Sequence, residues 1–213
     1  VAAPHSAQTR RAMHALSLLD LGFFIAETEA SPKHVAGLLI LKKPAKAGPA
    51  FAKNLYREYL GHTEVKPPFN RVIHFSLSAL PQWRDAEAVD LAQHVFFHKL
   101  PAGQNDRQAL FDFVAALHVP MLERSRPLWA LPSEFLRGRI TRALYQKMHH
   151  AYADGVTMTR WTAQGLSESP RELTLKPIWT VEHSAYHTRR DKRNKAALES
   201  AWKQVAGAGQ RAL

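Results

Sequence analysis

The sequence predicts a mixed α+β fold, loosely an α/β protein: a mixed β-sheet with helices packed against it. Three observations lead there. Apolar residues at helical spacing alternate along the chain with strand-length apolar runs. Two extended runs flank Arg137-Gly138-Arg139, the pattern of a β-hairpin, whereas other strands need longer crossovers. No internal repeat and no low-complexity tract interrupts the pattern.

Taken in order, residues 1–12 read as a disordered polar tail. Ser17 to Glu29 carries Leu18, Leu19, Leu21, Phe23, Phe24 and Ile25, which predicts a short helix capped by Ser17 and stopped by Pro32. His34 to Lys42 is a continuous apolar run between prolines, predicting a buried strand. Phe51, Leu55, Tyr59 and Leu60 mark a helix over 50–60, ended by Gly61. Val65 to Asn70 must be extended or turned around its two prolines. Arg71 to Leu77 and Gln93 to Leu100 read as strands. Asp106 starts an amphipathic helix with Leu110, Phe113, Val114 and Leu117 on one stripe, running toward Arg124 with Pro120 loosening its last turn. Trp129 to Leu136 and Ile140 to Met148 form the hairpin, and Val156 to Leu166 the next helix. Residues 13–170 therefore read as one domain, and 171–213 as a basic crossover or linker with a helix-prone piece at Ala196 to Val205.

The chain has 213 residues and a net charge of +11, an excess that favours an anionic partner. The basic runs are Arg189, Arg190, Lys192, Arg193 and Lys195, and Arg137, Arg139 and Arg142. Without a glycine-rich phosphate loop or a nucleic-acid module, charge alone does not predict a nucleic-acid partner. Cysteine is absent, which excludes a thiol nucleophile, a disulfide framework and thiolate metal sites. The longest apolar run, Val35 to Leu41, is strand length, well below the ~18 residues that span a bilayer, and no secretory leader is expected.

Chemistry concentrates in Lys147-Met148-His149-His150-Ala151-Tyr152-Ala153-Asp154-Gly155-Val156. Adjacent strand side chains point to opposite faces, so one imidazole can meet a cavity while the other packs inside. That imidazole can be a general base, a metal ligand or a core residue. Asp154 is placed to cap the following helix or to pair with an arginine, and a carboxylate relay to a histidine is the disfavoured alternative. Gly155 permits close approach of backbone or substrate. His149, His150 and Asp154 as metal ligands are disfavoured because adjacent strand histidines diverge, and the His183/His187 pair falls in a polar connector. Pro127-Leu128-Trp129 can line a substrate tunnel or anchor the hairpin in the core.

His149-His150-Ala151-Tyr152-Ala153-Asp154-Gly155 matches the HHxxxDG signature, and the chain resembles the CoA-dependent acyltransferase superfamily of chloramphenicol acetyltransferase, peptide-synthetase condensation domains and polyketide-associated acyltransferases. Within it the chain looks most like the bacterial wax ester synthase/diacylglycerol acyltransferases. Pro67-Pro68-Phe69-Asn70, Leu122-Glu123-Arg124-Ser125-Arg126-Pro127-Leu128-Trp129, Ala143-Leu144-Tyr145 and His34-Val35-Ala36-Gly37 carry this narrower likeness, in matching order from Met13 to Glu168. Ala130 departs from it, since relatives often place a glutamate there. The resemblance implies the N-terminal half of a chloramphenicol-acetyltransferase-like fold and O-acyl transfer from acyl-CoA, a co-substrate, to a fatty alcohol or diacylglycerol. No bound cofactor and no metal are implied. His150 would be the general base, His149 a supporting residue, and Asp154 and Gly155 the makers of the loop that orients it. A C-terminal half, in the same enzyme or as a separate chain, would complete the tunnel. A cytoplasmic protein peripheral to the inner membrane or lipid inclusions is the implied setting, with the basic runs meeting CoA phosphates, membrane or solvent. The rival expectations are another HHxxxDG acyltransferase and a non-catalytic lipid-binding half-domain.

Overall fold

A computed structural model describes residues 12–42, 44, 46–76, 79–99, 106–135, 142–169, 172 and 174–183. The expected hairpin turn, the run at 189–195, His187 and the helix at 196–205 lie outside these residues.

Helix α1 (Leu18–Ala26) starts where expected, with a reciprocal capping box between Ser17 and Asp20. Strand β2 (His34–Leu41) follows, then α2 (Phe51–Gly61), β3 (Arg71–His74) and β4 (Gln82–Asp85). After a 3-10 turn at Leu91–Gln93 come β5 (Val95–Lys99), α3 (Asp106–His118), β6 (Trp129–Phe135), β7 (Arg142–His149) and α4 (Gly155–Gln164). The first strand, β1 (Met13–Ala15), pairs with β4, and β4 with β3, in a small antiparallel sheet ordered β1-β4-β3.

The larger sheet is ordered β2-β7-β6-β5. β7 is antiparallel to both neighbours, and β5 runs parallel to β6, so the sheet is mixed as expected. The β2–β7 register places His34 opposite His149 and Gly37 opposite Gln146. Alternation then divides the two faces. Leu38 and Ala143 meet Leu110, Phe113 and Val114 of α3 on one. On the other, Gln146 donates to Thr162 of α4 at 2.9 Å, and Met158 of α4 lies over Gly37.

Several expectations are corrected. The apolar run of β2 is half-buried, not buried, because it forms an edge of its sheet, and Ile40 is 48% exposed. Helix α3 stops at His118, two residues before Pro120, whose ring cannot continue it. β3 ends at His74. β1 and β4 escaped the sequence reading because three or four residues carry too little periodicity.

The expected boundary at residue 170 does not divide the packing. A 3-10 turn at Ile178–Thr180 carries Trp179, fully buried and stacked on Trp129 at 5.4 Å. Trp179 donates through Nε1 to the His62 carbonyl, and its own carbonyl accepts from the Lys66 amide. His183 packs on Trp161 and bonds the Ile178 carbonyl at 2.7 Å. Core area gained by these rings outweighs the polar character that suggested a linker.

Candidate active site

β7 brings the two histidines to the open end of the β2–β7 pair, and α1 lies across that end. Successive phenylalanines of α1 each take one of them. Phe24 stacks on His149, ring centroids 4.4 Å apart and 12° from parallel. Phe23 stacks on His150 at 4.3 Å and 23°. β7 ends at His149, and His150 is the first residue of the turn that follows it.

The two imidazoles have different surroundings. His149 is 1% exposed, and its Nδ1 accepts the Ala151 amide at 3.1 Å. That assignment puts the proton on Nε2, which lies 3.5 Å from Oε2 of Glu27. Burial, opposed by the Glu27 charge, pushes the pKa of His149 down to about 4, so it is neutral near pH 7. The contact to Glu27 is therefore a carboxylate facing a neutral N–H, not an ion pair. Burial raises the Glu27 pKa, but hydrogen bonds from Arg124 and the Lys33 amide and the nearby positive charge outweigh it, leaving the carboxyl below its ordinary value. His150 is half-buried, and its amide bonds the Lys33 carbonyl at 2.9 Å. Only this imidazole keeps an accessible side.

The turn that carries them is pinned. The His149 amide donates to the Leu128 carbonyl, and the Tyr152 amide to the His149 carbonyl, each at 2.9 Å. The Tyr152 hydroxyl accepts the Leu128 amide at 3.1 Å and donates to the Arg71 carbonyl. Burial pushes the pKa of this phenol up, so it stays protonated. Asp154 is the N-cap of α4, accepting the Thr157 amide at 2.7 Å. Among the described residues a Cβ at Gly155 would meet only Val35 Cγ2, at 3.9 Å, so their packing does not demand glycine there.

Leu128 and Trp129, offered as tunnel residues, have no free surface. Trp129 lies against His94, Phe69 and Trp179 and donates through Nε1 to the Phe69 carbonyl. Pro127 is buried with them. The segment anchors the core, and the substrate-binding expectation for these three residues is corrected. Ala130 faces Lys147 across the β6–β7 ladder.

Sequence reasoning missed a buried polar group behind His149. Lys147 is 4% exposed and donates to the carbonyls of Leu117, His118 and Pro120, which satisfies the end of α3. Burial pushes its pKa down to about 8. The His118 ring meets the Tyr145 hydroxyl at 2.8 Å and the edge of His34 at 4.5 Å. Burial and the Lys147 charge push His34 down to about 4. A lysine inside the apolar run of β7 and an acid closing an apolar helix were the available signals. Among the described residues, no cluster of three or more His, Cys, Asp or Glu is placed to hold a metal. No described helix is long and apolar enough to cross a membrane.

A starter condensation domain of rhizomide synthetase is 15% identical with a TM-score of 0.52 over 70% of this chain and 35% of that one, a likeness of fold alone. A wax ester synthase/diacylglycerol acyltransferase from Marinobacter aquaeolei is 34% identical with a TM-score of 0.74, over 79% of this chain and 40% of that one. Two Mycobacterium tuberculosis proteins provisionally named diacylglycerol O-acyltransferase are 36% and 34% identical, over 82% and 80% of this chain. The chain spans 40% and 34% of their respective lengths. The model of the wax ester synthase/diacylglycerol acyltransferase catalytic domain matches residues 16–213, and the chain belongs to that family.

Proposed function

We propose that this chain carries the histidine-bearing part of an O-acyltransferase that moves a long-chain acyl group from acyl-CoA to a fatty alcohol or diacylglycerol, with His150 as general base. The observation that supports this most directly is the contrast between the two imidazoles. His149 is sequestered and weakly basic, whereas His150 keeps one side open at the end of the sheet.

An alcohol is a poor nucleophile at neutral pH, and a thioester is an activated acyl donor. In this reading His150 takes the hydroxyl proton as the oxygen attacks the thioester carbonyl. The C–S bond then breaks, and the same imidazole returns the proton to the departing CoA thiolate. Positioned proton transfer of this kind contributes about 10²–10⁴-fold. No acyl-enzyme is formed, so the absence of cysteine is no obstacle. Helix α1, which packs on His150 through Phe23, also exposes apolar side chains: Leu19 is 59% and Ile25 53% exposed. Such a wall suits an alkyl chain. In this proposal a second domain supplies the opposite wall, and the enzyme works at a membrane or lipid-inclusion surface.

The test is His150→Ala in the enzyme, assayed with long-chain acyl-CoA and either hexadecanol or a diacylglycerol. The expected result is a loss of turnover of about 10²-fold or more with the fold intact. Turnover within a few-fold of wild type would remove His150 as the base.

A further inference from the structure

Glu27 has no part in the proton transfers above, yet it is built into the site. It sits one residue beyond α1 with its side chain 1% exposed. A carboxylate buried so far is costly unless it is bonded. Oε1 accepts the Lys33 amide at 3.0 Å, and Oε2 accepts Nη2 of Arg124 at 2.9 Å. Oε2 is also the atom 3.5 Å from Nε2 of His149. Arg124 is itself restrained, since Nη2 reaches the Phe24 carbonyl at 3.3 Å and the guanidinium lies over the rings of Phe24 and Phe75. The carboxylate therefore cannot swing away from the histidine pair.

Both histidines are tied to it by separate routes. For His149 the route is direct. Its Nδ1 is occupied by the Ala151 amide, so Nε2–H is the buried end; it lies 3.5 Å from Oε2, longer than a formed hydrogen bond, and finds no hydrogen-bond acceptor among the described residues. For His150 the route passes through one residue of backbone. The Lys33 carbonyl holds the His150 amide, and the Lys33 amide is held by Oε1. This is the rung just beyond the end of the β2–β7 ladder.

We propose that Glu27, clamped by Arg124, is a positioning residue for the double-histidine turn: it fixes the tautomer of His149 and, through Lys33, the placement of His150. The proposal rests on His150 as the base. A base must sit within hydrogen-bond reach of the alcohol, and a displacement of about 1 Å can cost about 10²-fold in rate. Charge, not size, sets the role. Glutamine fills the same volume but presents an N–H₂ donor where an acceptor stood, against either the Lys33 amide or Arg124 and His149 together. In the first orientation the tie through Lys33 to His150 is lost, and in the second the His149 Nε2–H faces another donor and the ring must turn.

The experiment compares Glu27→Gln and Glu27→Asp in the full chain labelled with ¹⁵N-histidine. At neutral pH, wild-type His149 is expected in a single Nε2–H tautomer. Glu27→Gln is expected to give mixed or exchange-broadened His149 signals and to shift those of His150, while Glu27→Asp keeps the wild-type tautomer. His149 and His150 signals in Glu27→Gln that superimpose on wild type would overturn the proposal. In the acyl-transfer assay, Glu27→Gln should lower kcat by about 10–100-fold with KM within about threefold, and Glu27→Asp should regain most of the loss. A Glu27→Gln kcat within about twofold of wild type also overturns it. If Glu27→Gln does not fold, Arg124→Gln, which leaves the carboxylate in place but unclamped, is read in the same two ways. The ring measurement needs no turnover, so it separates failure of this role from failure of the base assignment, which only His150→Ala decides.

Discussion

At the scale of single residues, the site shows how the same side chain acquires different chemistry. His149 lies under Phe24 and beside Glu27, and burial makes it a poor base. Asp154 presents a parallel choice between relay and cap, and its bond to the Thr157 amide at 2.7 Å favours the cap. Asparagine caps a helix as well as aspartate does, whereas alanine does not. We therefore expect Asp154→Asn to keep most of the activity and stability. Asp154→Ala should lower stability by about 1 kcal/mol. Urea titrations and acyl-transfer assays of the pair check this. An asparagine variant as inactive as His150→Ala would restore the relay. This part of the site was legible in the sequence, because the HHxxxDG stretch is local and a capping aspartate is recognised by its position alone. Glu27 and Arg124 were not, since they meet across 97 positions and neither residue type announces a partner.

At the scale of elements, helices and strands with strong periodicity were readable and the short ones were not. The helix α1 was predicted from its apolar content and its cap, and its capping box is present. The three-residue β1 and four-residue β4 exist because they pair with each other, a fact that no window of sequence contains. The segment after α4 misled for a related reason: its composition is polar, while a few buried residues, Pro177, Ile178, Trp179 and His183, carry its docking. That docking makes a demand on Gly165 at the end of α4. A Cβ there would stand 2.9 Å from the Lys176 carbonyl oxygen and 3.3 Å from Ile178. Backbone cannot yield as a side-chain tip does. Gly165→Ala is expected to cost about 1–3 kcal/mol by overpacking. A thermal melt indistinguishable from wild type would show that residues 176–178 are held less firmly than their packing implies.

For the molecule as a whole, the histidines couple stability to pH. Burial pushes His149 and His34 down to about 4, and it also lowers His94, His98, His118 and His183. In the unfolded chain histidine titrates near its ordinary value of about 6.5. Between that value and about 4, the unfolded state binds more protons than the folded one. Stability therefore falls as the pH drops through this window and is unaffected by these groups above it. The urea midpoint should decrease from about pH 7 to about pH 5. A midpoint that stays flat or rises over that range would contradict the burial of these rings.

One consequence of the β2–β7 pairing remains. The two histidines are chemically identical and adjacent, so nothing in either residue says which is to be buried. The pairing of His34 with His149 says it, by burying the ring of the last paired residue and leaving the next one half-buried in the turn. A slip of a single residue between these strands would turn every side chain to the opposite face and exchange the two rings. Which of the two rings is sequestered is thus a property of strand alignment, written along eight residue pairs.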